Sequence, residues 1–415
     1  MKKIALAILA TFVTVSVVFV VAYKDQFNAL WISLQPTKNL PTEQQVNTNL
    51  TEEKEPDVTP IPVNETPKNF TLSEGFSMSI LVGDVQNPRT LMIGPNGNVW
   101  ATLTSAGKIV EVIDVNGDGK AEEVRTLTSG LRKPHGLEKK CKGKICDIFI
   151  AETERLSSYT FDAGTGKLVF KEKLTDLPAG GRHFTRSLVF FDNRLLISIG
   201  SSCDVCHEKD ERHGSVQIFD LTSKKLAPYA RGLRNAVFMT QHPETKKVWV
   251  TEMGRDFLGD NLPPDELNIL QENGNFGWPI CYGQNIHDDS FDKNTYIRNP
   301  CMAPYEISSE IDIPAHSAPL GLSFIPKEGW PEEYQGDLLV AYHGSWNRTQ
   351  PTGYKIVRYN FDANGKLQGI EDFLAGFLVG KTLYGRPAGI LALPNGKIFI
   401  SDDKAGRIYQ INYQK

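Results

Sequence analysis

Four arginines, Arg89, Arg186, Arg234 and Arg386, and a histidine, His135 with Lys133 close by, stand at one fixed place in a repeated strand pattern along residues 87–413. Guanidinium groups gathered at one place repel each other unless an anion joins them, and arginine is the side chain best suited to hold carboxylates through paired hydrogen bonds. The pattern therefore predicts a binding place for a ligand carrying several carboxylates. The competing reading is that each arginine pairs with a neighbouring carboxylate or caps a loop. His183, in Gly180-Gly181-Arg182-His183-Phe184-Thr185-Arg186, lies just before the third repeat. It is a candidate general base, since an imidazole titrates near neutral pH. His316, just before the inner strand of the fifth repeat, and Trp346, in the loop after Leu338-Leu339-Val340, reach the same place.

The repeat is what would bring these residues together. Arg89 is followed by Pro95-Asn96-Gly97-Asn98-Val99-Trp100-Ala101-Thr102, and Arg386 by Pro394-Asn395-Gly396-Lys397-Ile398-Phe399-Ile400-Ser401. Both read as strand, Asn-Gly hairpin, strand, with alternating β-branched and aromatic residues. Weaker copies begin at Lys133-Pro134-His135, Arg186-Ser187-Leu188, Arg234-Asn235 and Ala318-Pro319-Leu320, which makes six units. One such unit cannot bury both faces, and radial stacking closes the array without long open edges. An all-β, six-bladed β-propeller is predicted over residues 68–415, with insertions around residues 256–316. Phe76-Ser77-Met78-Ser79-Ile80-Leu81 is expected to be the outer strand that closes the last blade.

The net charge of −4 offers no broad basic surface for nucleic acid. Lys2 and Lys3 precede an uncharged apolar run, Ile4 to Tyr23, long enough to cross a bilayer as a helix. With no good cleavage site, residues 1–23 read as an uncleaved signal anchor with the N-terminus inside; cleavage would instead give a secreted protein. Residues 24–67, with Pro41, Pro56, Pro60, Pro62 and Pro67 among Thr, Asn, Glu and Gln, hold too few large apolar residues for a core and read as a disordered tether.

The six cysteines fall into close pairs, Cys141 with Cys146, Cys203 with Cys206 and Cys281 with Cys301, which suits an oxidising compartment. Cys203-Asp204-Val205-Cys206-His207 matches the haem c attachment signature, but no helical segment surrounds it, and a disulfide or thiol pair is the preferred reading. Asp114-Val115-Asn116-Gly117-Asp118-Gly119 carries half of a calcium loop. Arg125 stands where the closing glutamate should be, so Asp114, Asn116 and Asp118 are at best a second calcium site, a metal-free hairpin turn being the alternative.

Taken as a set, several motifs resemble the soluble quinoprotein sugar dehydrogenases of the glucose/sorbosone dehydrogenase type. They are Gly181-Arg182-His183-Phe184-Thr185-Arg186, Gly200-Ser201-Ser202-Cys203-Asp204-Val205-Cys206, Leu233-Arg234-Asn235, Gly254-Arg255-Asp256, Leu262-Pro263-Pro264-Asp265-Glu266-Leu267-Asn268, Gly274-Asn275-Phe276-Gly277-Trp278-Pro279, His343-Gly344-Ser345-Trp346-Asn347-Arg348 and Tyr384-Gly385-Arg386-Pro387. The likeness covers about residues 70–413 and looks closer to the sorbosone dehydrogenase-like branch. It implies a six-bladed propeller using pyrroloquinoline quinone (PQQ), a tricarboxylate, with Ca2+. It further implies that His183 takes the proton from a sugar hydroxyl while hydride passes to the quinone. Arg234 and Asn235 would contact the cofactor, Arg386 would bind one of its carboxylates, and the backbone carbonyls of Gly254 and Arg255 would hold the calcium. Arg89, Arg186, Arg348, His316 and Trp346 complete the expected cofactor set. The glutamine that the glucose enzymes place near the base has no equivalent, so the expected substrate is an aldose, a sorbosone-like sugar or a related polyol, with an external electron acceptor. A calcium-dependent lactonase on the same propeller, or a non-catalytic propeller binding a protein or glycan, are the competing functions.

Overall fold

The computed structural model describes residues 68–414. The expected apolar helix of residues 1–23 and the expected linker of residues 24–67 lie outside them.

Six antiparallel sheets stand around an axis. From the axis outward, blade 1 contains Pro88–Ile93, Val99–Leu103, Lys108–Ile113 and Glu123–Ser129. Blade 2 contains Gly136–Lys142, Ile145–Ala151, Arg155–Asp162 and Lys167–Asp176. Blade 3 has Leu188–Phe191, Arg194–Ile199, Ser215–Asp220 and Lys225–Arg231; blade 4 has Ala236–Gln241, Val248–Glu252, Asp265–Ile269 and Ile311–Ile313. Blade 5 has Pro319–Phe324, Leu338–Tyr342, Lys355–Phe361 and Leu367–Ala375, and blade 6 has Pro387–Ala392, Lys397–Asp402 and Arg407–Tyr413. The outer strand of blade 6 is Phe76–Val82, paired antiparallel with Arg407–Tyr413 from Phe76↔Tyr413 to Val82↔Ile408. The first strand of the domain thus closes the ring, as the sequence pattern requires, and no blade is left with an unpaired inner neighbour. The insertion expected in blade 4 separates its third and fourth strands and is tied by the Cys281–Cys301 disulfide.

Each blade buries both faces, and the apolar clusters lie between neighbouring blades. Ile148, Ile150 and Tyr159 of blade 2 pack on Trp100 and Ile109 of blade 1, and Leu338, Val340 and Tyr359 of blade 5 pack on Val237 and Trp249 of blade 4. The inner strands approach so closely that a side chain is excluded where they meet. A Cβ on Gly389 would stand 2.1 Å from the Arg89 carbonyl of the next blade. At the same height the inner strands of blades 1, 4, 5 and 6 carry a register shift, which leaves backbone groups without a ladder partner. Hydroxyls on the second strands fill this gap. Ser401 accepts from the Gly389 amide and donates to the Arg89 carbonyl, both at 2.7 Å, while Thr251 bonds the Phe238 amide and the Leu320 carbonyl. One buried hydroxyl so satisfies a bulge and joins two blades, which locks the ends of the inner strands that carry the functional residues.

Candidate active site

The residues before each inner strand and the loops after each second strand emerge at one end of the axis. His183 is held there by three loops. Its amide donates to the Ser201 carbonyl at 3.2 Å, the Arg182 amide to the Ser202 carbonyl at 3.0 Å, and the Ser201 amide to the Arg234 carbonyl at 2.7 Å. Gly200 makes room for this packing: a Cβ there would lie 2.5 Å from the His183 Cβ and 2.9 Å from Asn235 Oδ1.

The imidazole Nδ1 lies 2.9 Å from Ser201 Oγ and 3.2 Å from the Ser201 carbonyl. The Ser201 hydroxyl donates to the Cys203 carbonyl at 2.6 Å, so its oxygen is left to accept. Nδ1 therefore carries the proton, and Nε2, with no hydrogen-bond partner among the described residues, presents a lone pair. Burial, reinforced by the charges of Arg234, Arg182 and Arg186, holds this histidine well below its ordinary pKa, against the opposing pull of the Ser201 carbonyl. Among the described residues no carboxylate bonds the ring, so the imidazole is neutral with its Nε2 lone pair unengaged.

Beside it lies a compact ionic cluster. Arg234 donates Nη2 to Asp204 at 2.6 Å and to Asp256 at 3.1 Å, and Nε to the Asp204 carbonyl at 2.9 Å. Arg182 reaches Asp256 at 2.9 Å, and Asn347 from blade 5 caps the other Asp256 oxygen at 2.6 Å. Burial pushes the Asp204 carboxyl up, but Arg234, the Asp256 amide and Arg182 outweigh it and keep the group below the usual carboxylate range. Across the mouth, Asp403 bridges Arg89 and His343, whose Nε2 is 2.8 Å away. Burial opposes ionisation of Asp403, yet His343 and Arg89 prevail and hold its pKa far below normal.

The expected ring of arginines is thus corrected in part. Arg89 and Arg234 sit in two separate clusters, and each is neutralised by aspartates that the strand pattern did not single out, Arg89 by Asp403 and Arg234 by Asp204 and Asp256. Arg186 does not face a ligand: it is fully enclosed, donating to the carbonyls of Thr153, Pro178, His183 and Thr185 at 2.8–3.1 Å, and burial lowers its pKa to about 10. It is a strut beneath His183. Arg386 is also buried, clasped by the Gly344 carbonyl at 2.6 Å and the Tyr354 hydroxyl at 3.0 Å. His316 is buried too, its Nε2 against the Gly259 carbonyl at 2.8 Å, which makes it a support for the blade 4 loop. Arg348 bonds the Ala315 carbonyl and Asn261 Oδ1 at the rim. Trp346 is 45% exposed and meets Phe257 edge-on.

The Gly254 amide donates to Asp265 at 2.9 Å, and the Arg255 side chain turns away to Asp288 at 2.8 Å. The carbonyls of both residues accept no hydrogen bond among the described residues. The 114–119 loop, by contrast, closes on itself: Asp114 accepts from the amides of Gly117 and Gly119, Asn116 from Asp118, and Asp118 from Lys120. Its side-chain oxygens are engaged by its own backbone, which is the geometry of the hairpin turn that the sequence offered as the alternative to a second calcium site at Asp114, Asn116 and Asp118. All three cysteine pairs are disulfides, which removes both thiols of the haem signature.

The residues present suit a polyanionic cofactor. Arg182 Nη1, Arg89 Nε and Asn235 Oδ1 are buried without a hydrogen-bond partner, the two nitrogens as donors, Arg182 Nη1 standing 3.7 Å from Asp204. Donors in such a place gain most from an acceptor that arrives from solution. The free Gly254 and Arg255 carbonyls are oxygen ligands of the kind a hard cation takes.

Residues missed by the sequence reading are Arg182, Asp204, Asp256, Ser201, His343, Asn347 and Asp403. Most stood inside quoted motifs, but nothing in their spacing gave them partners.

The fold is a six-bladed propeller whose inner-strand ends carry an imidazole and guanidinium–aspartate clusters. The chain belongs to the TrAA12-like family, whose model matches residues 70–414. It is 28% identical over 372 residues to an uncharacterized protein of Borreliella burgdorferi, covering 86% of this chain and 94% of that one. It is 21% identical to a pyrroloquinoline quinone-dependent pyranose dehydrogenase of Coprinopsis cinerea, over 82% of this chain but only 54% of that enzyme's length. The iodide and calcium structures of a Trichoderma reesei carbohydrate-active enzyme of family AA12 superpose with TM-scores of 0.71 and 0.70 at 20% identity, covering 83% of this chain and 97% of theirs.

Proposed function

We propose that this protein is a PQQ- and calcium-dependent dehydrogenase that oxidises a pyranose or other aldose outside the cytoplasm, held to the membrane by its N-terminal segment. The observation that carries the reading is His183: an imidazole whose Nδ1–H is fixed by Ser201, whose Nε2 has no hydrogen-bond partner among the described residues, and whose neighbours include the charges of Arg234 and Arg182. The names of the Coprinopsis enzyme and of the calcium form of the Trichoderma protein support the choice of cofactor and metal. Bound PQQ supplies the hydride acceptor and calcium the Lewis acid that polarises it. The chain's own residues do the rest. His183 Nε2 takes the hydroxyl proton of the sugar, and Ser201 prevents the ring from turning its protonated nitrogen inward. Arg89, Arg182 and Arg234, with Asn235, would hold the carboxylates and carbonyls of the cofactor. The carbonyls of Gly254 and Arg255 would hold the metal. Trp346 and Phe257 offer an apolar face at the rim for a sugar ring. Electrons leave to an external acceptor, and nearness to the sorbosone branch is part of this proposal.

The test is reconstitution of the purified full-length chain with PQQ and Ca2+, followed by dye reduction with a panel of aldoses. Cofactor-dependent reduction supports the proposal. Lactone hydrolysis with calcium alone would replace it by a hydrolase, and neither activity by a binding propeller.

A further inference from the structure

The disulfide Cys203–Cys206 closes a ring of four residues whose backbone ends on both halves of the site. The Cys203 carbonyl accepts the Ser201 hydroxyl at 2.6 Å, and that hydroxyl is the partner of His183 Nδ1. The next carbonyl, of Asp204, accepts Arg234 Nε at 2.9 Å and Trp278 Nε1 at 3.3 Å. The Asp204 carboxylate takes Arg234 Nη2 at 2.6 Å and the Asp256 amide at 3.0 Å. Two successive carbonyls and one carboxylate of a tight covalent loop therefore set the hydroxyl behind the base and the seat of the central guanidinium. A loop lacking regular strand pairing samples many backbone conformations, and a short covalent closure removes most of them.

We infer that the Cys203–Cys206 disulfide is a positioning element of the active site, fixing the tautomer of His183 through Ser201 and the place of Arg234 through Asp204, so that opening it uncouples both. Both cysteines are half-buried. Reduction by a dithiol transfers two electrons and two protons to the pair, breaks the S–S bond and leaves the reductant as its cyclic disulfide. The other two disulfides serve as internal controls. Cys141–Cys146 staples the hairpin at the far end of the blade 2 inner strand, and Cys281–Cys301 ties the blade 4 insertion. The inference rests on the reading of His183 as the base.

The experiment compares Cys203→Ala/Cys206→Ala with Cys141→Ala/Cys146→Ala in the full chain. A parallel arm treats the second variant with dithiothreitol and then reoxidises it. Histidine 15N shifts in the apoprotein at one fixed pH report the tautomer, with His183→Gln for assignment. Reconstitution with PQQ and Ca2+ gives kcat, KM and cofactor affinity. Opening the ring is expected to mix the Nε2–H tautomer into His183 and to lower kcat by about 10- to 100-fold, the scale of a misplaced catalytic group. Cofactor affinity should fall as well, and reoxidation should restore all three. Retention of the Nδ1–H tautomer, with kcat and cofactor affinity within about twofold of the control, overturns the inference. If the chain proves not to be a dehydrogenase, the tautomer still decides, so the two failures are distinct.

Discussion

Replacing His183 by alanine isolates the base from the binding machinery. Among the described residues the imidazole hydrogen-bonds no side chain but that of Ser201, so its removal leaves Arg89, Arg182 and Arg234 on their aspartates. The nearest carboxylates cannot substitute: Asp204 is held below the usual carboxylate range by Arg234, and both Asp256 oxygens are already occupied, one by Arg182 and Arg234 and the other by Asn347. The full general-base contribution, about 10²- to 10⁴-fold in kcat, should therefore be lost. That loss corresponds to roughly 3–5 kcal/mol of barrier. Steady-state dye reduction on reconstituted enzyme gives kcat, and titration of protein fluorescence with PQQ gives cofactor affinity, which should stay within about threefold, since no binding contact is removed. The wild-type pH profile supplies an independent check. The folded pKa of His183 lies well below the ordinary 6.5, so the neutral base persists into mildly acidic solution and the acid limb of kcat should fall below pH 6.5. An alanine variant retaining more than a tenth of wild-type kcat, or an acid limb at or above pH 6.5, would refute the assignment.

Three further outcomes are expected. Arg234→Lys, which loses the fork that spans Asp204 and Asp256, should weaken PQQ binding by about tenfold or more in the same titration, the scale of a lost charge-assisted bond. Chelation of calcium should abolish dye reduction in wild type, and Asp118→Ala should leave the calcium concentration for half-maximal recovery unchanged, because that hairpin is closed by its own amides. Asp402 is buried, and burial raises its pKa to about 7 despite bonds from the Ala405 and Arg386 amides. Between about pH 4 and 7 the folded state then keeps a proton that the unfolded state has released, so wild-type stability falls as pH rises through that window. Asp402→Asn removes this dependence: the melting temperature of the variant relative to wild type should climb from pH 4 to 7 and level off above, as differential scanning calorimetry would record.

Six copies of a strand pattern, the closing strand at Phe76 and the three cysteine pairs were legible because each is written locally, as alternation, Asn-Gly turns and short spacings. The same holds for the end of the barrel at which Arg89, Arg234, Arg386 and His183 emerge, since a position in the repeat fixes a position on the blade. What each side chain meets there depends on residues far away in the chain. Arg89 lies against Asp403, 314 residues on, and Asp256 is capped by Asn347 from another blade. Those contacts form only when the ring closes, and they decide that Arg186 and Arg386 are enclosed supports, that the mouth is partly neutralised from within, and that His183 is backed by a hydroxyl. Sequence alone determined which groups arrive at the axis; tertiary packing determined which of them remain available to a ligand, because availability is whatever hydrogen-bonding capacity the other blades leave unused.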